Sequence, residues 1–305
     1  MTLGSHAPVD RAGIINGILF MCGAAMCFSF MNATAKYLST VAGFSSTEVI
    51  WARSLGHSLT VFALFAPRHG LRVLLTSRRT SLQVIRSLLL LTSTACFFIS
   101  LRFIPLTLAS TISFTGPFIV TALAVPMLGE KVGMQRWLAV LVGFIGAVIA
   151  IRPGTADFHW ATSLTLVSAS CYAVYQILTR RVVGVDSAET TVSYAALVGT
   201  VVMTLIVPFD WRTPEQASHV MMFVAMGLLG GLGHYCIARA MVRAPASAVS
   251  PFMYVQLISA TGLGFFVFGD FPDQWTWVSA AIIVASGLFI AWRETRRATP
   301  LSAPA

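Results

Sequence analysis

The chain is 305 residues long, 56% hydrophobic and only 10% charged, with a mean hydropathy of +0.80, against roughly 25% charged residues in an average soluble domain. That composition excludes a water-soluble globular protein. The +9 net charge does not signal nucleic acid, because no Lys/Arg run with interleaved aromatics accompanies it, and the absence of a G-x-x-x-x-G-K-[ST] loop excludes nucleotide binding in that manner.

A membrane span needs about 20 mostly apolar residues. Ten are predicted, at 13–37, 46–66, 82–102, 105–128, 133–152, 160–179, 189–209, 219–239, 246–268 and 274–293. The first imitates a secretory signal, with Arg11 ahead of it and Ala33-Thr34-Ala35 as a cleavage site. It exceeds the roughly 7–15 apolar residues of a signal core, however, and reads as an uncleaved helix. It ends on Asn32 and Lys36, stacked at i,i+4. The second carries Glu48 at its start, where the helix dipole favours an anion, as either a terminal cap or a functional group. Trp51 follows, then Arg53, Gly56, His57 and Thr60 at i, i+3, i+4 and i+7, a polar stripe on one helical face that should point inward.

In the third span Arg86 lies inside the apolar run, where snorkelling to headgroups competes with a site role. Pro105 predicts a tight turn before the fourth span, which contains Pro117. The sixth ends with Tyr175, Gln176 and Arg180, an amide four residues before a cation as in the first. Lys36 and Arg180 read as interfacial anchors. The eighth is glycine-rich, with Gly227 and Gly231 at small-xxx-small spacing for close packing, and holds His234. In the ninth Pro251 precedes Tyr254 and Gln256. Trp137 and Trp277 fit an aromatic belt. Cys22, Cys27, Cys96, Cys171 and Cys236 lack metal-ligand spacing and read as small hydrophobes.

Cations are unevenly shared between the two faces. With the N-terminus inside, one face collects Arg11, Arg68, Arg72, Arg78, Arg79, Lys131, Arg136, Arg180, Arg181, Arg239, Arg243, Arg293, Arg296 and Arg297; the other receives Arg102, Arg152 and Arg212. The positive-inside rule then places both termini in the cytoplasm of a multi-pass inner-membrane protein.

The two halves also repeat each other. A slide of 140 lays Pro105–Ser110 (PLTLAS) over Pro245–Ser250 (PASAVS), Gly129-Glu130 over Gly269-Asp270 and Trp137 over Trp277; a slide of 144 pairs Cys27 with Cys171, Asn32 with Gln176 and Lys36 with Arg180. Five spans per copy, an odd number, turn the second copy over, giving an all-α polytopic protein of ten transmembrane helices in two inverted five-helix repeats, 13–152 and 160–293. Such inverted repeats belong to alternating-access transporters, with the site between the halves.

The run from Leu108 to Pro117 (LASTISFTGP), Leu128-Gly-Glu-Lys131, the run from Arg136 to Gly146 and Arg152-Pro-Gly154 resemble the first EamA repeat of the drug/metabolite transporter superfamily. The second copy is similar through Gly230–His234, Arg239-Ala240, Ala244–Ser247, Pro251, Tyr254-Val-Gln256 and Phe268–Asp273. The resemblance implies a ten-helix secondary transporter of small metabolites, among them amino acids and their chelating derivatives, riboflavin, S-adenosylmethionine or toxic cations. It leans towards export. Leu257 stands where the first repeat has Pro117, which removes the matched proline that would kink the ninth span.

An ionised side chain at the bilayer centre costs at least ~2.5–3.5 kcal/mol on insertion scales, so intramembrane polar residues are the candidates for function. Asn32, Trp51, Arg53, Arg86, Tyr175, Gln176, Tyr254 and Gln256 are the expected substrate-binding residues. His57, His234 and Glu48 are the expected proton-coupling groups, His57 foremost because it shares a helical face with Arg53. Pro117 and Pro251 free backbone carbonyls, tolerated at membrane depth only where protein or a wet cavity satisfies them, and so mark gating or site-lining positions. Interior cations with few interior carboxylates favour an anionic ligand, amino-acid-like or amino-acid-derived, exported by alternating access; import of riboflavin or S-adenosylmethionine is the alternative. Neither paired intramembrane aspartates nor H-E-x-x-H is present, so an intramembrane enzyme is not expected, and a membrane scaffold is the remote reading. The expected partners are a small-molecule metabolite, the lipid bilayer and protons as coupling ion, with a homodimer left open; no cofactor, metal or nucleic acid is expected.

Overall fold

A computed structural model describes residues 11–298 except Lys131 and Val183. Lys131 thus lies outside the described residues, as do the side chains of Arg11, Ala246, Ser247, Arg296 and Arg297. Among the described residues, ten helices are long and apolar enough to cross a membrane. They are α1 (Arg11–Thr40), α2 (Ser46–His69), α3 (Thr80–Ser100), α4 (Leu106–Ser113, then Gly116–Leu128), α5 (Met134–Ile151), α6 (Trp160–Val182), α7 (Ala188–Ile206), α8 (Ala217–Arg243), α9 (Ala246–Val249, then Ser250–Tyr254 and Val255–Phe268) and α10 (Gln274–Ala298). A short helix, Leu71–Leu75, lies between α2 and α3.

Local chemistry sets the ends. Ser45 caps α2 in a capping box with Glu48, and Ser187 caps α7 by accepting from the Thr190 N–H. Helix α4 stops at Gly129 (φ 69°) and α9 at Gly269 (φ 71°), both left-handed, a conformation glycine adopts without a Cβ penalty. The next N–H in each case turns back, Glu130 to the Ala124 carbonyl and Asp270 to that of Gly264. The two terminators are mates at the same 140-residue offset, and each leaves an acid at the helix end.

The packing obeys the same two-fold relation. Helix α1 runs along α8 as α6 runs along α3; α2 meets α8 as α7 meets α3; α1 meets α9 as α6 meets α4. Mates α2 and α7, and α5 and α10, touch each other, as elements on the pseudo-axis must. The strongest contacts are therefore between repeats. Close approach is set by glycine: a Cβ on Gly56 would sit 2.3 Å from the Gly227 Cα, and one on Gly231 2.5 Å from Thr60. The expected small-xxx-small face of α8 thus seats α2.

Pro105 does end a turn, through Leu101–Ile104, ahead of α4. The break within α4 falls at Phe114 and Thr115, just ahead of Pro117. The ninth span breaks at the equivalent point although Leu257 replaces the proline, through a 3-10 segment, Ser250–Tyr254, opened by Pro251. Loss of the matched proline therefore did not remove the irregularity; a proline six residues earlier supplies it.

Candidate functional site

Arg53 and His57 project from successive turns of α2, with the Gly56–Gly227 contact beside them drawing α8 close enough for His234 to reach across. The His57 and His234 rings stack at 4.9 Å with 22° between planes, and Phe28 of α1 meets His234 edge-on at 5.2 Å. From α3, Thr94 Oγ1 accepts from Arg53 Nη1 at 3.1 Å, and the Phe98 ring lies 5.8 Å below the guanidinium. Three nitrogens in this cluster, Arg53 Nε, His57 Nε2 and His234 Nε2, are buried without a hydrogen-bond partner. A buried donor or acceptor left unsatisfied costs about 1–3 kcal/mol. Native interiors avoid that cost unless the group serves a ligand, water or ion.

No carboxylate counters these nitrogens. Among the described residues the ten spans carry acids only near their ends: Glu48 and Glu189 sit in first turns, Glu294 lies next to the last turn of α10, and Asp210 lies beyond α7. A site rich in N–H groups and aromatic faces, free of anions, suits a ligand that brings acceptors and a ring.

The other sequence-derived candidates divide. Asn32, buried on α1, and Gln176, half-buried on its mate α6, make no side-chain hydrogen bond among the described residues. Tyr175 stacks on Tyr172 at 5.6 Å, and the Arg86 guanidinium lies 5.3 Å from the Tyr175 ring. Arg86 is fully buried rather than snorkelling. It donates to Gln83 Oε1 (2.6 Å), to Thr179 Oγ1 (3.3 Å) and to the Thr191 carbonyl, so protein groups already occupy it. Trp51 donates to Thr204 Oγ1 at 3.0 Å and meets Trp211 edge-on, a seam between α2 and α7 rather than the histidine cluster. Tyr254 packs on Phe114 at 4.9 Å, with its hydroxyl against Gly287 of α10. The Gln256 carbonyl accepts from Ser29 Oγ at 3.0 Å.

Both Glu48 oxygens are held by backbone N–H groups, of Ser45 at 2.9 Å and of Arg212 at 2.5 Å, the arrangement of a cap that also ties the repeats together. Lys36 corrects the expectation of an interfacial anchor. It is buried, donates to the Ile104 carbonyl at 3.0 Å and to Asp270 Oδ2 at 2.8 Å. Its mate Arg180 pairs with Glu130 at 3.0 Å.

Sequence reasoning missed Thr94, Tyr172 and Asp186. Asp186, in the α6–α7 loop, accepts from Ser77 Oγ (2.5 Å), the Arg78 N–H (2.9 Å) and Gln83 Nε2 (2.9 Å). Burial pushes its carboxyl up, but the hydrogen bonds from Ser77, Gln83 and Arg78 together with the Arg78 charge outweigh that and hold it below its ordinary value. Nothing in the local sequence around Asp186 signals those partners, which lie more than 100 residues away.

Ten apolar helices in two inverted repeats, with unpartnered buried donors between them, define a membrane transporter. The chain belongs to the EamA-like transporter family, whose model matches residues 15–152 and 159–292. It is 31% identical to the riboflavin transporter of Vibrio cholerae serotype O1 over 93% of this chain and 95% of that one. It is 30% identical to the S-adenosylmethionine uptake transporter of Rickettsia felis (92% and 94%) and 24% to the pseudopaline exporter of Pseudomonas aeruginosa (89% and 94%). A solved crystal structure superposes with a TM-score of 0.62 at 18% identity, over 90% of this chain and 98% of that one, a likeness of fold alone. The protein is accordingly a multi-pass membrane transporter of small metabolites and not an enzyme.

Proposed function

We propose that this transporter takes up a neutral or anionic ring-bearing metabolite of the riboflavin kind across the cytoplasmic membrane by alternating access. The observation that carries this reading is the set of three buried, unpartnered nitrogens on Arg53, His57 and His234 in an interior without carboxylates. S-adenosylmethionine carries a sulfonium and an ammonium and calls for an acid that this interior lacks. Riboflavin brings a flat ring edged with carbonyl and ring-nitrogen acceptors. The Arg53 guanidinium would equally take the carboxylate of an amino-acid-derived metabolite, which makes that class the second reading. Direction follows the relative named for uptake at 30% identity over the exporter at 24%, against the export leaning of the bare resemblance. Without a phosphate loop, energy comes from a gradient, and the His57–His234 pair is the proposed proton-responsive element.

The test is uptake of labelled riboflavin by a riboflavin-requiring host that lacks its own transporter, with the parent chain and Arg53→Leu. Parent-dependent uptake lost in Arg53→Leu at equal membrane abundance supports the reading. Uptake of S-adenosylmethionine but not riboflavin would refute the site chemistry.

A further inference from the structure

The repeat that relates Lys36 to Arg180 and Glu130 to Asp270 also relates two contacts. Lys36 pairs with Asp270 at 2.8 Å and Arg180 with Glu130 at 3.0 Å, each bond joining one repeat to the other. Lys36 lies near the end of α1 and Arg180 in the last turn of α6; those helices run in opposite senses, so the pairs stand at opposite ends of the bundle. Each acid is presented by a left-handed glycine cap, and each cation sits one turn beyond an amide without a side-chain hydrogen bond among the described residues, Asn32 or Gln176.

We infer that these two ion pairs are the gate latches of the transporter, opened in alternation, and that Lys36, Asp270, Arg180 and Glu130 are positioning residues for transport. Opening one pair frees the end of the helix that carries Asn32 or Gln176 and separates α1 from α9, or α6 from α4, on that side only. The other pair keeps the opposite end shut. The latches are unequal. Lys36 and Asp270 are 9% and 32% exposed, and Lys36 is further held by the Ile104 carbonyl and lies 5.1 Å from the Phe268 ring. Arg180 and Glu130 are 54% and 38% exposed, where solvent screens the pair and weakens it. Beside the tighter latch Arg152 adds a second inter-repeat pair, to Asp273 at 2.8 Å. At the position related to Asp273 by the 140-residue offset stands Gly133, so the acid of this second pair is not repeated.

The test reads access rather than flux. The full chain, with its five cysteines replaced and Thr94→Cys as reporter beside Arg53, is labelled with a membrane-impermeant maleimide in right-side-out and inside-out vesicles. Lys36→Ala and Asp270→Ala should raise labelling from the α1-end side by about tenfold, the factor that about 1.4 kcal/mol sets, and leave the other side unchanged. Arg180→Ala and Glu130→Ala should raise it from the opposite side, by a smaller factor. The exchanged pair Lys36→Asp with Asp270→Lys should return labelling to the parental rate. If Lys36→Ala does not insert, Lys36→Met, which keeps the side-chain volume, takes its place. Equal increases on both sides, no increase, or no return in the exchanged pair overturns the assignment. Labelling needs no substrate, so its outcome is independent of the riboflavin assay.

Discussion

Replacing Gly56 with alanine tests whether the α2–α8 contact builds the site. The new Cβ would stand 2.3 Å from the Gly227 Cα, and ordinary contact begins at 3.4 Å, so the helices must part by about 1.1 Å or one must rotate. Backbone lies on both sides, and no side chain can move aside to absorb the change. Overpacking of this kind costs about 1–3 kcal/mol, which lowers the melting temperature by about 2–12 °C at ~2–4 °C per kcal/mol. The functional loss should exceed the loss of stability. His57 adjoins Gly56, and its stack with His234, now 4.9 Å, opens with the helices. Since ~1 Å of misplacement at a working site costs about 10²-fold, transport should fall by about ten- to a hundredfold at equal membrane abundance. Gly262→Ala on α9, where an added Cβ meets nothing within 4 Å, is the control and should behave as the parent. Melting in mild detergent and initial uptake rates measure the two quantities. Parental values of both in Gly56→Ala would refute the claim that this glycine contact sets the site.

His57→Gln, whose amide keeps a hydrogen-bonding nitrogen in place, should weaken riboflavin binding, measured by fluorescence quenching, by only a few-fold while uptake loses its dependence on an imposed pH gradient; persistence of that dependence removes His57 from coupling, and parental uptake after an uncoupler rejects proton coupling altogether. Asp186, with its pKa lowered in the folded state, contributes stability that is fully present above the unfolded value of about 3.9 and is lost as pH falls through the lower folded value. Asp186→Asn should therefore melt below the parent at pH 6, with the gap narrowing towards pH 3; a gap constant with pH contradicts the assignment. Reporter fusions after Arg79 and Arg297 should read cytoplasmic, and after Asp157 and Pro214 periplasmic; the reverse at Arg297 rejects the orientation drawn from the arginines.

The fold was legible because spans are written as apolar runs, and the two-fold relation survives in matched residues such as Gly129 and Gly269. What stayed hidden is pairing across distance. Lys36 looks like an anchor from its position near a helix end, since its acid lies 234 residues on. His57 and His234, each a plausible lone candidate, stack only because two glycines let α2 and α8 touch. Arg86 cannot be told from a substrate ligand by sequence, because Gln83, Thr179 and Thr191 converge on it from three helices. The irregular ninth span shows the limit of residue matching: the break is kept while the proline that makes it has moved.

The preference of each repeat for the other has a consequence for how the protein is made. Lys36 leaves the ribosome 234 residues ahead of Asp270, an interval of about 12–47 s at 5–20 residues per second. Until residue 217 is made α1 has neither α8 nor α9, and until residue 160 is made α3 lacks α6. The nascent first repeat therefore holds Lys36 and Arg86 without the second-repeat groups that will satisfy them, at the lipid cost that penalises such residues. It must be sheltered by the insertion machinery or tilt those cations to a membrane surface until the second repeat arrives. Completion of the chain is then also the event that buries them, so that lesions in the last spans would expose the first ones to membrane quality control.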